Sequence, residues 1–334
     1  MESEFIFNKT DFVKDIHICY ELIKGTCIMA IASLTIHVLL YIFISSLSVL
    51  TTCGNLLVII SIIYFKQLHT PTNYLILSLA VSDLLVGAVI LPFSMEFSAT
   101  SCWHLEDVLC KIRTSFDISL STSSILNLCC ISIDRYYAVC QPLRYRTKIS
   151  GHVVVIMILV SWGVSALVGI GITIQGLFQG KCEGRCFTFH IPILIIMACF
   201  FSFYLPATIM LSIYLKIFLV AQRQARSIQN TNCQSMKSGA YVSKKERKAT
   251  KTLAVVMGIF LICWTPFFLC VTFQPFTNYS IPAPVIETFN WLGLSNSMIN
   301  PFIYAFFYSW FRATFRMIIS GKIFQGDFAN SKLL

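Results

Sequence analysis

The chain has 334 residues, of which 56% are hydrophobic and 12% charged, whereas a soluble globular domain carries roughly 25% charged residues. A deficit that large excludes a domain whose whole surface faces water. The formal net charge of +10 resides in basic loops beside apolar runs, so it points to membrane lipids and not to nucleic acid.

The first 34 residues hold Glu2, Glu4, Asp11 and Asp15, with no basic start before a short apolar core, and no cleaved signal peptide is expected. Asn8-Lys9-Thr10 is a glycosylation sequon, as is Asn278-Tyr279-Ser280. Seven apolar runs follow, at 35–64, 72–95, 111–139, 152–175, 190–219, 250–274 and 284–308. Each is long enough to cross a bilayer core of about 30 Å as a helix of about 20 residues. The sequence thus predicts an all-α membrane protein: an N-terminal segment over 1–34, a seven-helix domain over 35–308, and an amphipathic helix with a tail over 309–334.

A charge at the bilayer centre costs at least a few kcal/mol, so a carboxylate inside a span asks for a function. The second span holds Asp83 and the third holds Asp117. Asp117 lies seven residues after Cys110, which places it in the outer third of the third span. No Lys or Arg lies deeper than Arg113, so Asp117 is expected to lack a protein cation and to serve as counter-ion to a ligand ammonium. Trp264, Phe267, Phe268 and Trp291 are candidate aromatic walls that would add cation–π attraction. Asp134-Arg135-Tyr136 closes the inner end of the same span. Asp117 and Arg135 are 18 residues apart, five helical turns, so they share a face about 27 Å apart. Glu246, at the inner end of the sixth span, is placed to hold Arg135 by a salt bridge. Residues Gln222 to Lys251 are read as a basic third inner loop. Pro206, Pro266 and Pro301 sit in the fifth, sixth and seventh spans and predict kinks.

With the N-terminus outside, the inner loops and tail hold 18 of the 25 basic residues against Asp134, Glu246 and Asp327 alone. The positive-inside bias therefore favours an extracellular N-terminus and a multi-pass plasma-membrane protein. Of 14 cysteines, six then lie outside: Cys19, Cys27, Cys102, Cys110, Cys182 and Cys186. They suggest disulfides, and the residues alone leave all fifteen pairings open. Metal-ligand clusters, phosphate loops and nucleophile constellations are not found, so no enzyme is expected.

In order along the chain stand Gly54-Asn55, Leu79-Ala80-Val81-Ser82-Asp83, Asp134-Arg135-Tyr136, Trp162, Pro206 with Tyr214, Cys263-Trp264-Thr265-Pro266 and Asn300-Pro301-Phe302-Ile303-Tyr304. The set resembles the rhodopsin-like G-protein-coupled receptors over the whole chain. Ser132-Ile133-Asp134-Arg135-Tyr136-Tyr137-Ala138-Val139-Cys140 and Ala305-Phe306-Phe307-Tyr308-Ser309-Trp310-Phe311-Arg312 are similar to the trace amine-associated receptors.

The resemblance implies roles. Asp117 would bind a ligand amine in a pocket with Ile118, Ser121, Trp264, Phe267, Phe268, Trp291 and Leu294. Asp83, Ser124, Asn296, Ser297 and Asn300 would form a pocket for an allosteric sodium ion, with no other cofactor. Ile125, Pro206 and Phe260 would be a packing switch. Asp134, Arg135, Tyr136, Tyr214, Glu246 and Tyr304 would control access of a heterotrimeric G protein of the stimulatory or olfactory class, raising cyclic AMP. Cys110 would pair with Cys186, Cys19 with Cys182, and Cys27 with Cys102. Leu294 departs from the pattern: amine receptors carry Tyr there, whose hydroxyl bonds the carboxylate, so Asp117 is expected to have lost a partner. This keeps a non-amine ligand as one alternative, and a transporter, which predicts inverted repeats, as another.

Overall fold

The computed structural model describes residues 34–94, 107–178, 192–230, 237–277 and 281–321. Helix α1 is Leu34–Tyr64, and α2 is Pro71–Leu85, running on through a π turn at Val86–Ile90. Helix α3 is Asp107–Cys140, the short α4 is Pro142–Lys148, and α5 is Gly151–Phe178. Helix α6 comprises Pro192–Cys199 and Leu205–Asn230, joined by a π turn at Phe200–Tyr204. Helix α7 is Lys237–Phe273, α8 is Ala283–Phe307 and α9 is Ser309–Ile319. The predicted spans correspond to α1, α2, α3, α5, α6, α7 and α8. A bilayer offers no water to unpaired backbone groups, which is why long apolar runs close their hydrogen bonds as helices.

Six of these helices are both long and apolar enough to cross a membrane among the described residues. The exception is α8, whose 25 residues suffice in length. Its hydropathy is diluted by Asn290, Asn296, Ser297 and Asn300, all buried. The polarity of α8 therefore faces its neighbours, while Leu159, Leu167, Ile262 and Phe306 are exposed on the outside of the bundle. Apolar outside and polar inside is the arrangement a lipid solvent selects.

Helix α3 is central and touches α2, α5, α6 and α7. Packing is close where glycine allows it: a Cβ on Gly54 would stand 3.0 Å from the ring of Pro301. Beside it, Asn55 Nδ2 donates to the carbonyls of Thr51 at 2.9 Å and Ser297 at 3.0 Å, tying α1 to α8. Trp162 Nε1 donates to Ser78 Oγ at 3.0 Å and ties α5 to α2. Helix α9 lies against the inner end of α1, with Ser61 Oγ donating to Thr314 Oγ1 at 2.9 Å.

Two expectations need correction. Much of the expected loop from Gln222 to Lys251 is helical, because α6 runs to Asn230 and α7 begins at Lys237. Apolar runs mark the bilayer slab, and a helix already nucleated in lipid continues into water on charged residues of good propensity. The reading of prolines was also incomplete. Both π turns end two residues before a proline, Pro92 and Pro206. A proline removes an N–H and crowds the carbonyl four residues back, and the wider turn relieves that crowding. Pro92 was given no role in the sequence reading.

Candidate ligand site and signalling core

Asp117 sits on the inward face of α3. Ser121 Oγ, one turn inward, donates to its Oδ1 at 3.4 Å. Asn290 of α8 is buried seven residues outward of Ser297, as Asp117 is seven residues outward of Ser124, and the two serines meet at Asp83, so Asn290 and Asp117 stand at one level of the bundle. Arg113, four residues outward on α3, acts electrostatically on Asp117 while its Nη2 donates to Ser94 Oγ at 2.8 Å. One expectation changes here. Asp117 does have a neighbouring cation, because residues four apart on a helix face one another and the arginine stem is long. Leu294 is buried in the apolar core, and Asn290 lies one turn outward of it on the same face.

The aromatic wall assembles on α7 and α6. Trp264 lies with its ring centroid 5.9 Å from those of both Phe267 and Phe268. Phe268 stacks on Phe203 at 4.3 Å, a contact the sequence reading missed. Trp264 fits because Gly293 of α8 has no side chain: a Cβ there would meet the indole at 2.6 Å. Ile118 is half-buried beside Asp117, and Trp291 is half-buried with its Nε1 sealed from solvent and without a hydrogen-bond partner.

Below this level Asp83 joins three helices. Its Oδ1 accepts from Ser124 Oγ at 3.0 Å and Ser297 Oγ at 2.8 Å, and its Oδ2 accepts from Asn300 Nδ2 at 2.8 Å. Asn300 Oδ1 and Asn296 Nδ2 are buried without hydrogen-bond partners. Four of the five expected residues thus meet directly, and Asn296 stands beside them in sequence. Ile125 and Phe260 are fully buried, Pro206 is buried, and Phe203 bridges levels at 6.2 Å from Phe260.

At the inner end Asp134 collects most of the polar contacts. Arg135 Nε and Nη2 donate to its Oδ2 at 2.9 and 2.6 Å, and Thr72 Oγ1 donates to the same oxygen at 2.8 Å. Arg135 Nη2 also donates to Thr72 Oγ1. Tyr145 of α4 donates to Asp134 Oδ1 at 2.8 Å. Burial, and then the Asp134 carboxylate beside it, push the Tyr145 hydroxyl up to about 12, so it remains a donor. Thr72 and Tyr145 had no role in the sequence reading. They lie 62 and 11 residues from Asp134 in the chain, so no local pattern announces them. Tyr214 is half-buried against the core, Tyr304 is buried 5.8 Å from the ring of Tyr308, and Tyr136 packs edge-on to Tyr137 at 5.6 Å. The Glu246 and Cys110 side chains lie outside what the structure describes, as do Asn8, Cys19, Cys27, Cys102, Cys182 and Cys186.

The arrangement is a carboxylate level on one side, a polar hub in the middle, and a held arginine on the other, all strung on α3. Comparison with known proteins agrees. The model of the family described as "7 transmembrane receptor (rhodopsin family)" matches residues 54–304. The chain is 47% identical to trace amine-associated receptor 1 of Macaca mulatta, over 94% of this chain and 97% of that protein. It is 45% identical to trace amine-associated receptor 1 of Homo sapiens over the same shares, and 41% identical to trace amine-associated receptor 4 of Mus musculus over 96% of each. The chain therefore belongs to the rhodopsin family of seven-transmembrane receptors, within its trace amine-associated branch, and is a receptor and not an enzyme.

Proposed function

We propose that this receptor, whose family membership gives it a small ligand and a G protein as partners, responds to a small organic monoamine, including volatile odorant amines. The N-terminus is extracellular in this reading, and coupling is to a stimulatory or olfactory G protein with a rise in cyclic AMP. The observation that carries the amine assignment is Asp117, a carboxylate within the bundle that accepts from Ser121, in a bundle whose α7 clusters the Trp264, Phe267 and Phe268 rings. A desolvated carboxylate is stabilised by an ammonium that both pairs with it and lies against aromatic faces. In the amine-bound state α7, the sixth span, swings outward at its inner end, and the G protein binds the opened cavity by population shift.

The decisive experiment is Asp117→Ala assayed for cyclic AMP against a panel of volatile amines. Removing one partner of a buried charge-assisted pair costs about 2–5 kcal/mol, so responses should vanish over the usable concentration range. Full potency in this variant, at matched surface expression, would sink the amine assignment.

Asp83, Ser124, Asn296, Ser297 and Asn300 would hold a sodium ion in the same reading. The hard oxygens of Asp83, Ser124 and Ser297, with the unpartnered Asn300 Oδ1, suit a small hard cation. Such an ion would favour the resting state by neutralising Asp83. Sodium should then weaken agonist potency in the wild type and have no effect in Asp83→Asn. Equal sodium sensitivity in both would remove the ion from the account.

A further inference from the structure

We propose that Glu287 and Trp291 of α8, with Arg113 of α3, form a second polar subsite beside Asp117 that recognises a hydroxyl group, so that the preferred ligand is an amino alcohol carrying one positive charge. The inference rests on the reading of Asp117 as the ammonium counter-ion.

Glu287 precedes Asn290 by three residues and Trp291 by four, which puts all three on one face of α8. Asn290 is buried two turns outward of Ser297, which meets Ser124 of α3 at Asp83, so that face looks toward α3. Glu287 stands about one turn, roughly 4.5 Å, outward of Asn290. Arg113 stands one turn outward of Asp117 on the facing helix. Arg113 acts electrostatically on both carboxylates, and the two carboxylates act on each other. The helices thus oppose two levels: Asp117 with Asn290, and Arg113 with Glu287.

At the outer end of α8 two buried atoms have no hydrogen-bond partner, Glu287 Oε2 and Trp291 Nε1, whereas the unpartnered atoms of Asn296, Asn300 and Tyr304 lie deeper, at and below the Asp83 level. One is an acceptor and the other a donor. A hydroxyl donates and accepts at once, so a single ligand group satisfies both, whereas an ammonium can only donate and a methyl does neither. Charge narrows the choice further. Among the described residues, two carboxylates around one guanidinium leave an excess of one negative charge, which one ammonium balances. A diamine would leave an uncompensated positive charge in a desolvated site, which is costly. The spacing sets the hydroxyl about 3–6 Å from the nitrogen, the reach of a two- to four-carbon chain.

The test compares three probes on the purified receptor: the three-carbon amino alcohol with terminal hydroxyl, butylamine, which replaces that hydroxyl by a methyl, and the three-carbon diamine. The readout is the probe concentration giving a half-maximal rise in unfolding temperature, which reports binding without a G protein. The amino alcohol should bind about tenfold more tightly than butylamine and more tightly than the diamine. In Glu287→Leu the preference over butylamine should fall to near unity, and in Trp291→Phe it should shrink while the ring is kept. The preference is a ratio taken within each variant, so a general loss of stability cancels. A preference unchanged in Glu287→Leu, or a diamine that outbinds the amino alcohol, would overturn the subsite. Butylamine binding that is lost in Asp117→Ala, with no alcohol preference in the wild type, would leave the amine reading intact and sink this one alone. Failure of all three probes on the wild type would sink both.

Discussion

Asn290 is a buried polar residue that no motif announces. It lies one turn outward of Leu294 and level with Asp117, where its amide is placed to donate to the carboxylate. Asn290→Leu should therefore weaken amines about tenfold or more, since a net hydrogen bond to a charged group contributes about 1.5–3 kcal/mol. Dose–response curves for one amine on both forms check this, and equal potency would mean that Asn290 does not orient the carboxylate. Gly293 makes a related point beside it. Its missing side chain sets where the Trp264 indole sits, so the aromatic wall is placed partly by a residue that presents no chemistry.

Among the elements, α9 shows how a short amphipathic helix is fixed to the bundle. Phe311 and Thr314 are buried, while Phe315 and Ile319 are exposed on the side suited to lipid. Its polar tie is Ser61 Oγ to Thr314 Oγ1, and a satellite apolar cluster of Phe65 and Leu68 packs against Trp310 and Met317. Thr314→Val keeps the shape and removes the tie. Ser61 retains its bond to the Leu57 carbonyl at 2.7 Å, so no orphan is created and the loss should be about 0.5–1.5 kcal/mol. Thermal unfolding of the purified receptor should show a small decrease in midpoint, and an unchanged midpoint would show that the apolar cluster alone docks α9. The two π turns act on α2 and α6 in the same manner, each relieving a proline and rotating the outer end of its helix relative to the inner.

For the whole molecule, the question is how the proposed binding at Asp117 would reach Arg135 across about 27 Å of α3. The Asp83 hub couples α2, α3 and α8 midway, and Asp134 clamps the inner end to α2 through Thr72 and to α4 through Tyr145. Tyr145→Phe removes one support of that clamp. Basal nucleotide exchange on a G protein should rise severalfold, because a lost bond to a charged group shifts the resting equilibrium by up to about 1.5–3 kcal/mol. Unchanged basal exchange would show that Thr72 and Arg135 suffice. With the Tyr145 hydroxyl pushed up to about 12, from an ordinary 10.0, its contribution is complete below about pH 10 and fades only as pH rises toward that value. The wild type should accordingly show no Tyr145-linked step at neutral pH.

The sequence by itself determined the seven spans, the polar residues inside them and the order of motifs along the chain. Apolar runs and buried charges are local features, and a bilayer penalises exceptions to them heavily. It also named Asp117, Asp83 and Arg135, since an ionisable residue in lipid stands out in one dimension. Tertiary structure alone decided the partners. Ser297 reaches Asp83 from 214 residues away, and Asn55 reaches the Ser297 carbonyl from 242. Such pairs depend on the rotation of each helix about its axis, which packing fixes and hydropathy does not encode. The inner ends of α6 and α7 escaped for the complementary reason: beyond the bilayer, helix continues where the apolar signal stops.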